Sequence, residues 1–328
     1  MGPPFEITPL QLREIAAIER LLGRFERIEA APAAPMLRRS RWIKTVAGSV
    51  AIEGNPLSEE QVTALLEGKR VVAPPRDILE VENALQAYRD LGRWKPWAAA
   101  SMLRAHAAMM NGLVGSAGRW RGRSVGIAHG GKIAHVAPPA DRVPGLMKEL
   151  LGFGKKSAKE IHPAILSAVI HYEIEFIHPF EDGNGRMGRL WHSVLLAQYH
   201  PAFAMAPVES VIWRHQKQYY RALAQSDACG AATPFVQFAL EASRMALESL
   251  VPEAASVLSS KQGAEERLAI ALEKFGGTPF TRKGYLALHP NISAPTASRD
   301  LSRAVAHAAL LRTGDKATAV YRFGGRRT

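Results

Sequence analysis

The feature that most limits how this chain can fold is a twelve-residue segment, His178-Pro-Phe-Glu-Asp-Gly-Asn-Gly-Arg-Met-Gly-Arg189, set between two helical stretches. Before it, AILSAVIHYEIEF has helical spacing. After it, Met187, Leu190, Trp191, Val194 and Leu195 line one face of a helix from Arg186 to about Tyr199. The segment is therefore a loop that joins two helices. Gly183 and Gly185 let it turn sharply and point successive N–H groups outward. Those groups, with the positive end of the second helix, make an anion site. Arg186 and Arg189 are three apart, share one helical face, and can grip phosphate oxygens bidentately. Asp182 offers one hard oxygen ligand, the usual way of holding Mg²⁺ when substrate phosphates and waters supply the rest. His178 stands at the loop entrance, where it can take a proton from an attacking hydroxyl. Phe180 plugs the loop into the core. Anion nest, metal carboxylate, paired arginines and a base together describe phosphoryl or nucleotidyl transfer.

Two other readings of these residues fail on context. Gly183-Asn-Gly185-Arg-Met-Gly188 matches the G-x-G-x-x-G dinucleotide fingerprint, but that fingerprint must follow a β-strand, and a helical pattern precedes it here. The chain has 11 His but 1 Cys and no HExxH, which argues against a zinc cage.

The rest of the chain is mostly helical in pattern. Its 328 residues exceed one small core and point to two or three structural units. Helices are predicted over about 8–30, 37–53, 58–67, 77–91, 97–110, 141–153, 161–176, 209–225 and 233–249. APAAP at 31–35 breaks the first, and Gly54-Asn55-Pro56 stops the second. Residues 118–139 are glycine-rich with no helical period, which predicts a loop carrying a short hairpin. The small, polar stretch 252–263 reads as a linker or a loose helix end. Beyond it come helices over 264–275, from Thr281, and over 294–311, then a Gly-Asp turn at 314–315 and the β-rich ATAVYRF. That order predicts a winged helix-turn-helix. The domains expected are a helical region over 1–95, a core over 96–250 and a small domain over 251–328.

HPFEDGNGRMGR resembles the Fic-family signature, His-x-Phe-x-(Asp/Glu)-Gly-Asn-Gly-Arg-x-x-Arg, with every defined position filled. The resemblance runs from the helix at about 37 to the one ending near 249 and includes GRWRG at 118–122. It implies a mainly α fold: a helical core with a β-hairpin flap within 123–138 that holds a target segment by strand addition. It implies protein adenylyltransfer, with AMP moving from ATP to a Tyr, Ser or Thr hydroxyl of a target protein or of the enzyme itself. His178 would be the general base and Asp182 the ligand of Mg²⁺ or Mn²⁺. Gly183, Asn184 and Gly185 would form the anion hole, and Arg186 and Arg189 would hold the β and γ phosphates. Family relatives that transfer UMP, phosphocholine or phosphate, or remove AMP, define the alternatives within enzymes. A DNA-binding regulator that uses the domain as a nucleotide sensor is the alternative outside them.

Upstream, Ser49-Val-Ala-Ile-Glu53-Gly54 resembles the family's inhibitory motif, (Ser/Thr)-x-x-x-Glu-(Gly/Asn), in a helix over about 37–54. Ser49 and Glu53 lie on one helical face, and Gly54 ends the helix so that Glu53 can project from its tip. Facing Arg189, its carboxylate would take the place the γ-phosphate needs. The C-terminal unit resembles the winged helices attached to Fic domains, with SAPTASRDLSRAVAHAALL as the recognition-helix region, although Ala309 stands where that pattern carries Gly. Arg299 and Arg303 could reach phosphates or bases. The other reading is a wing that joins proteins or forms a homodimer. From Ser259 onward there are 12 Lys and Arg against 5 Asp and Glu, part of a formal net charge of +12 that steers anionic partners. No apolar run approaches a membrane span, no signal peptide or myristoylation pattern opens the chain, and one cysteine excludes an internal disulfide. These features predict a cytoplasmic protein.

Overall fold

The computed structural model describes residues 2–29, 34–124, 126–129, 132–261, 263–289, 292–314 and 319–323. The chain is mainly α and divides into two compact units. One comprises Met1–Glu29 with Met36–Val251; the other comprises Pro252–Thr328 with Ala30–Pro35.

The larger unit holds α1 (Pro9–Glu29), α2 (Ala34–Ile52), α3 (Glu59–Leu66), α4 (Pro75–Arg89) and α5 (Ala99–Met109). A hairpin follows, β1 (Gly126–His129) and β2 (Lys132–Val136), then α6 (Val143–Ser157), α7 (Pro163–Ile177), α8 (Asn184–Tyr199), α9 (Val208–Arg214), α10 (Gln216–Cys229) and α11 (Thr233–Lys261). α7 is apolar nearly all round, which is the signature of a helix buried on every side. It packs against α8 at the centre of the unit, where Ile170, Ile174, Met187, Leu190 and Trp191 are each fully buried. Trp191 spends its one N–H on the Pro96 carbonyl at 3.0 Å. A Ser58/Gln61 capping box starts α3. The hairpin is antiparallel, pairing Gly126 with Val136 and His129 with Lys132, with a bulge after Ile127. It occupies the place expected for the flap.

The smaller unit has its own core around Tyr285, Ala297, Leu301 and Leu310. It contains α12 (Ala264–Phe275), β3 (Phe280–Thr281), α13 (Arg282–Leu288), α14 (Ala294–Ala306), β4 (Leu310–Thr313) and β5 (Val320–Phe323). The antiparallel sheet runs β3-β5-β4.

Several boundaries differ from those expected. The stretch read as a linker or a loose helix end continues α11 through Lys261, because apart from Pro252 and the serines it consists mostly of good helix formers. The helix expected over 209–225 is two, α9 and α10, broken at His215 (φ −112°, ψ 30°). The break lets Gln216 donate to the Ile52 carbonyl at 2.7 Å, satisfying a helix-end acceptor of α2. The helix expected over 294–311 stops at Ala306. Ala308 then takes a left-handed φ of 58°, and Leu310 and Leu311 join β4. Strand β3 is too short to show a period in sequence. Residues 31–33 of APAAP, Asp315, and the first two residues of ATAVYRF lie outside the described residues, as do the side chains of the hairpin.

Candidate active site

The site forms where α7 ends and α8 begins. His178 caps α7 in the left-handed region (φ 50°, ψ 60°), its N–H donating to Ile174 at 2.9 Å. A non-glycine residue rarely holds that conformation, so its surroundings must enforce it. Arg121 does so. It is buried, and its Nε donates to the His178 carbonyl at 2.7 Å while its own backbone N–H donates to Pro179 at 2.9 Å. Its other nitrogens reach the carbonyls of Arg123 and Pro138, at the two roots of the hairpin. Burial lowers the Arg121 pKa. The His178 Nδ1 lies 3.3 Å from the Glu175 carbonyl. A carbonyl can only accept, so Nδ1 carries the proton and Nε2 is the basic nitrogen.

The loop is locked by its own polar groups. Asn184 Oδ1 accepts from the Phe180 N–H at 2.8 Å, and its Nδ2 donates back to the Phe180 carbonyl at 2.9 Å. Phe180 is fully buried and stacks on His106 with centroids 3.7 Å apart. The His106 Nδ1 accepts from Gly118 at 2.9 Å, so its Nε2 donates to the Asp182 carbonyl at 3.0 Å. Burial lowers the pKa of this imidazole. Gly183 sits at φ 82° as the N-cap of α8, where a Cβ would also meet Met110 Sδ at 2.6 Å.

The two arginines are both buried and both paired. Arg189 Nη2 donates to Glu53 Oε1 at 2.6 Å and to the Ser49 carbonyl at 3.2 Å. Ser49 is fully buried, and Gly54 turns the chain out of α2 at φ 90°. Gly185 faces this pair: a Cβ there would stand 2.8 Å from Glu53 Oε1 and 3.0 Å from Arg189 Nη1. Arg186 Nη1 pairs with Glu80 and its Nη2 lies 3.4 Å from Asp182 Oδ1. Nε of each arginine is buried with no hydrogen-bond partner among the described residues. Burial opposes the Arg189 charge, but Glu53, with Tyr219 and Tyr88 adding, outweighs it, and the Arg189 pKa is raised.

Behind the arginines lies a buried polar layer. Tyr219 donates to Glu175 Oε1 at 3.0 Å and accepts from His171 Nε2 at 3.3 Å. Burial raises the Glu175 pKa, although Arg189 and His178 partly counter it. Burial, with the Arg189 charge adding, pushes His171 well below the ordinary imidazole value. Glu209, its pKa also raised by burial, accepts from Tyr88 at 3.0 Å and from Ser193 at 2.5 Å, and Tyr88 lies 3.2 Å from Ser49 Oγ.

A model of the Fic/DOC family matches residues 96–196. Across its whole length the chain is 38% identical to a crystal structure of a Fic family protein from Desulfovibrio desulfuricans G20, with a TM-score of 0.74 and full coverage of both chains. The chain belongs to the Fic family. Among curated relatives, the protein adenylyltransferase fic-1 of Caenorhabditis elegans is 25% identical over 256 residues, which cover 75% of this chain and 48% of that protein. The protein adenylyltransferase Fic of Nematostella vectensis is 28% identical over 220 residues, 62% of this chain and 48% of that one. The chain thus spans about half the length of these curated relatives.

The fold brings His178, Asp182, Gly183, Asn184, Gly185, Arg186 and Arg189 into one Fic loop and sets Ser49, Glu53 and Gly54 against it. The sequence reading missed Glu80, Glu175, Tyr219 and the role of Arg121. Glu80 had a faint signal, a carboxylate in helical line with Ala84 and Ala87, both fully buried. No helix among the described residues is long and apolar enough to cross a membrane.

Proposed function

We propose that the chain is a protein adenylyltransferase in which Glu53 restrains the site. The observation that carries this is the 2.6 Å contact between Glu53 and Arg189. Arg189 is an arginine placed to take a terminal phosphate, and a carboxylate stands where that phosphate is needed. In the proposed reaction a target hydroxyl oxygen attacks the α-phosphorus of ATP, its proton passes to His178 Nε2, and the bond to the β-phosphate oxygen breaks to release pyrophosphate. The Gly183–Gly185 backbone and Arg186 receive the anionic oxygens.

Asp182 is the residue that would hold Mg²⁺ or Mn²⁺. Its Oδ1 accepts from Gly183 at 2.6 Å, its Oδ2 has no hydrogen-bond partner among the described residues, and the side chain is half exposed. One hard carboxylate suits a metal held mainly by phosphates and water. The bound metal would neutralise phosphate charge. The β1–β2 hairpin, anchored at both roots by Arg121, is the surface on which a target segment would add as a strand.

For the smaller unit, the order helix, strand, helix, helix, strand, strand supports a winged helix. Arg299 and Arg303, both exposed on α14, favour an anionic partner such as DNA.

The test of the restraint compares wild type, Glu53→Gly, Arg189→Ala and the double variant at saturating ATP-Mg, with AMP incorporation read by mass spectrometry. Glu53→Gly should exceed wild type by at least about tenfold, the equivalent of one lost competing contact. Arg189→Ala should be inactive, and adding Glu53→Gly should not rescue it, because both act through one contact. A Glu53→Gly chain no faster than wild type, or an active double variant, removes the restraint.

A further inference from the structure

Both arginines of the loop helix meet carboxylates from outside the matched segment, and the two carboxylates are held differently. Glu53 lies just past the last residue of α2, 29% exposed in its side chain, and reaches Arg189 through one oxygen. Glu80 is in the interior of α4, 15% exposed, and both its oxygens are engaged. Oε1 pairs with Arg186, and Oε2 accepts from Asn55 Nδ2 at 2.8 Å. Asn55 is itself buried and fully committed. Its Nδ2 also donates to the Asp77 carbonyl at 3.0 Å, its Oδ1 accepts from Leu57 at 3.1 Å, and its backbone N–H donates to Val50 at 3.1 Å. Glu53 stands two residues before it.

We infer that Glu80 is a positioning residue with two tasks. One oxygen aims Arg186 at the phosphate site. The other holds Asn55 and thereby fixes the point from which Glu53 reaches Arg189. The inference rests on the proposed reading of the loop as a nucleotide site and of Glu53 as its restraint.

The geometry separates this role from that of a second restraint. A residue that must withdraw when nucleotide binds needs few contacts and access to solvent, and Glu53, just past the end of α2 and partly exposed, is held through one oxygen. Glu80 has helix on both sides and two hydrogen-bonding neighbours, Asn55 and Arg186, in a chain that runs Asn55–Glu80–Arg186–Asp182. Arg186 is only 5% exposed, so its charge needs a fixed counter-charge. Without Glu80, its one remaining anionic partner among the described residues is Asp182, already 3.4 Å away. Arg186 would close on Asp182 and occupy the carboxylate the metal requires. Glu80 thus keeps the phosphate ligand and the metal ligand apart.

The experiment uses the full chain as wild type, Asn55→Ala, Glu53→Gly, Glu53→Gly/Glu80→Gln and Glu53→Gly/Glu80→Asp. ATP-Mg affinity is measured by calorimetry across a Mg²⁺ series, and AMP incorporation is measured separately. In the Glu53→Gly background, Glu80→Gln should weaken ATP-Mg binding about tenfold, as loss of a charge-assisted contact does, and move the Mg²⁺ midpoint upward. Glu80→Asp, which keeps the charge one methylene short, should fall between. Asn55→Ala retains the Glu80–Arg186 pair but frees the end of α2, so it should bind ATP-Mg about threefold more tightly than wild type, a modest release of competition. Equal affinity and an equal Mg²⁺ midpoint in Glu53→Gly with and without Glu80→Gln overturn the inference. If the Gln variant does not fold, an Asn55→Ala affinity no tighter than wild type overturns it. Expected affinity changes without any AMP transfer sink the adenylyltransferase reading and leave Glu80's role standing. Absence of ATP-Mg binding in every variant overturns both.

Discussion

Each unit contains a buried arginine–carboxylate pair, and the two pairs are built for opposite ends. In the smaller unit Arg267 grips Asp300 with two nitrogens, Nε at 2.7 Å and Nη2 at 2.9 Å, and Tyr285 lies 3.3 Å from the same carboxylate. Their side chains are 8% and 6% exposed. In the larger unit Arg189 is as deeply buried, but Glu53 is 29% exposed, uses one oxygen, and projects from a helix end. The first pair has both charges locked by helices α12 and α14. The second has a buried cation and a partly exposed carboxylate at a helix end, which under the proposed function nucleotide would replace. Burial of the cation is common to both. What distinguishes a structural pair from an exchangeable one is how the anion is attached. A second carboxyl group lies near Arg189, the buried Glu175, whose pKa burial raises and Arg189 partly lowers.

The largest expected effect concerns what the exchangeable pair guards. His178→Ala should lower AMP incorporation by roughly 10² to 10⁴ even in the Glu53→Gly background, while ATP-Mg affinity stays close to that of the parent. Undiminished transfer would show that the guarded site does not use His178 as its base.

Next is the structural pair itself. Asp300→Ala should destabilise the smaller unit by about 3–5 kcal/mol, because Arg267 is left buried without its counter-charge. Glu53→Gly should cost the larger unit less, because Glu53 is partly exposed and water can enter the position it vacates. Denaturant unfolding of each variant measures this, and equal losses at the two positions would erase the distinction between the pairs.

Metal removal tests the opening of the site from the other side. EDTA should abolish transfer by the Glu53→Gly chain, and Mg²⁺ or Mn²⁺ should restore it. Full activity of Asp182→Ala in EDTA would take the metal out of the mechanism.

The smallest effect is expected from taking the structural pair away altogether. A chain ending at Lys261 should transfer AMP within about twofold of the full chain, since a unit with its own core can fold alone. DNA binding, if carried by α14, should weaken with salt and vanish in that chain. Unchanged DNA affinity after truncation would rule out the smaller unit as the binding surface.

Legibility in the sequence followed the range of the interactions. The Fic loop could be read whole because its parts are local. Gly183 needs its conformation where it stands, Asn184 closes a ring onto Phe180 four residues away, and Arg186 and Arg189 share a face by helical spacing. The Ser49–Glu53–Gly54 motif was legible as a helix end, but its partner is 136 residues away and was named by the family resemblance, not by any spacing rule. Failures occurred where local propensity met a distant requirement. α10 begins where Gln216 can satisfy the end of α2, and Leu310 leaves a helical pattern because β5 pairs with it.

By itself, then, the sequence determined a helical chain with a nucleotide-binding type of loop between two helices, a basic C-terminal region, and a glutamate at the tip of a helix. Those properties depend on residues within about one or two helical turns of each other. Apart from the meeting of Glu53 with Arg189, which the family resemblance named, only the tertiary structure decided that Glu80 holds Arg186 and Asn55 together and that Arg121 ties the hairpin roots to His178. The physical reason is that a buried charge must find its partner wherever packing brings one, and packing joins residues that the chain keeps far apart.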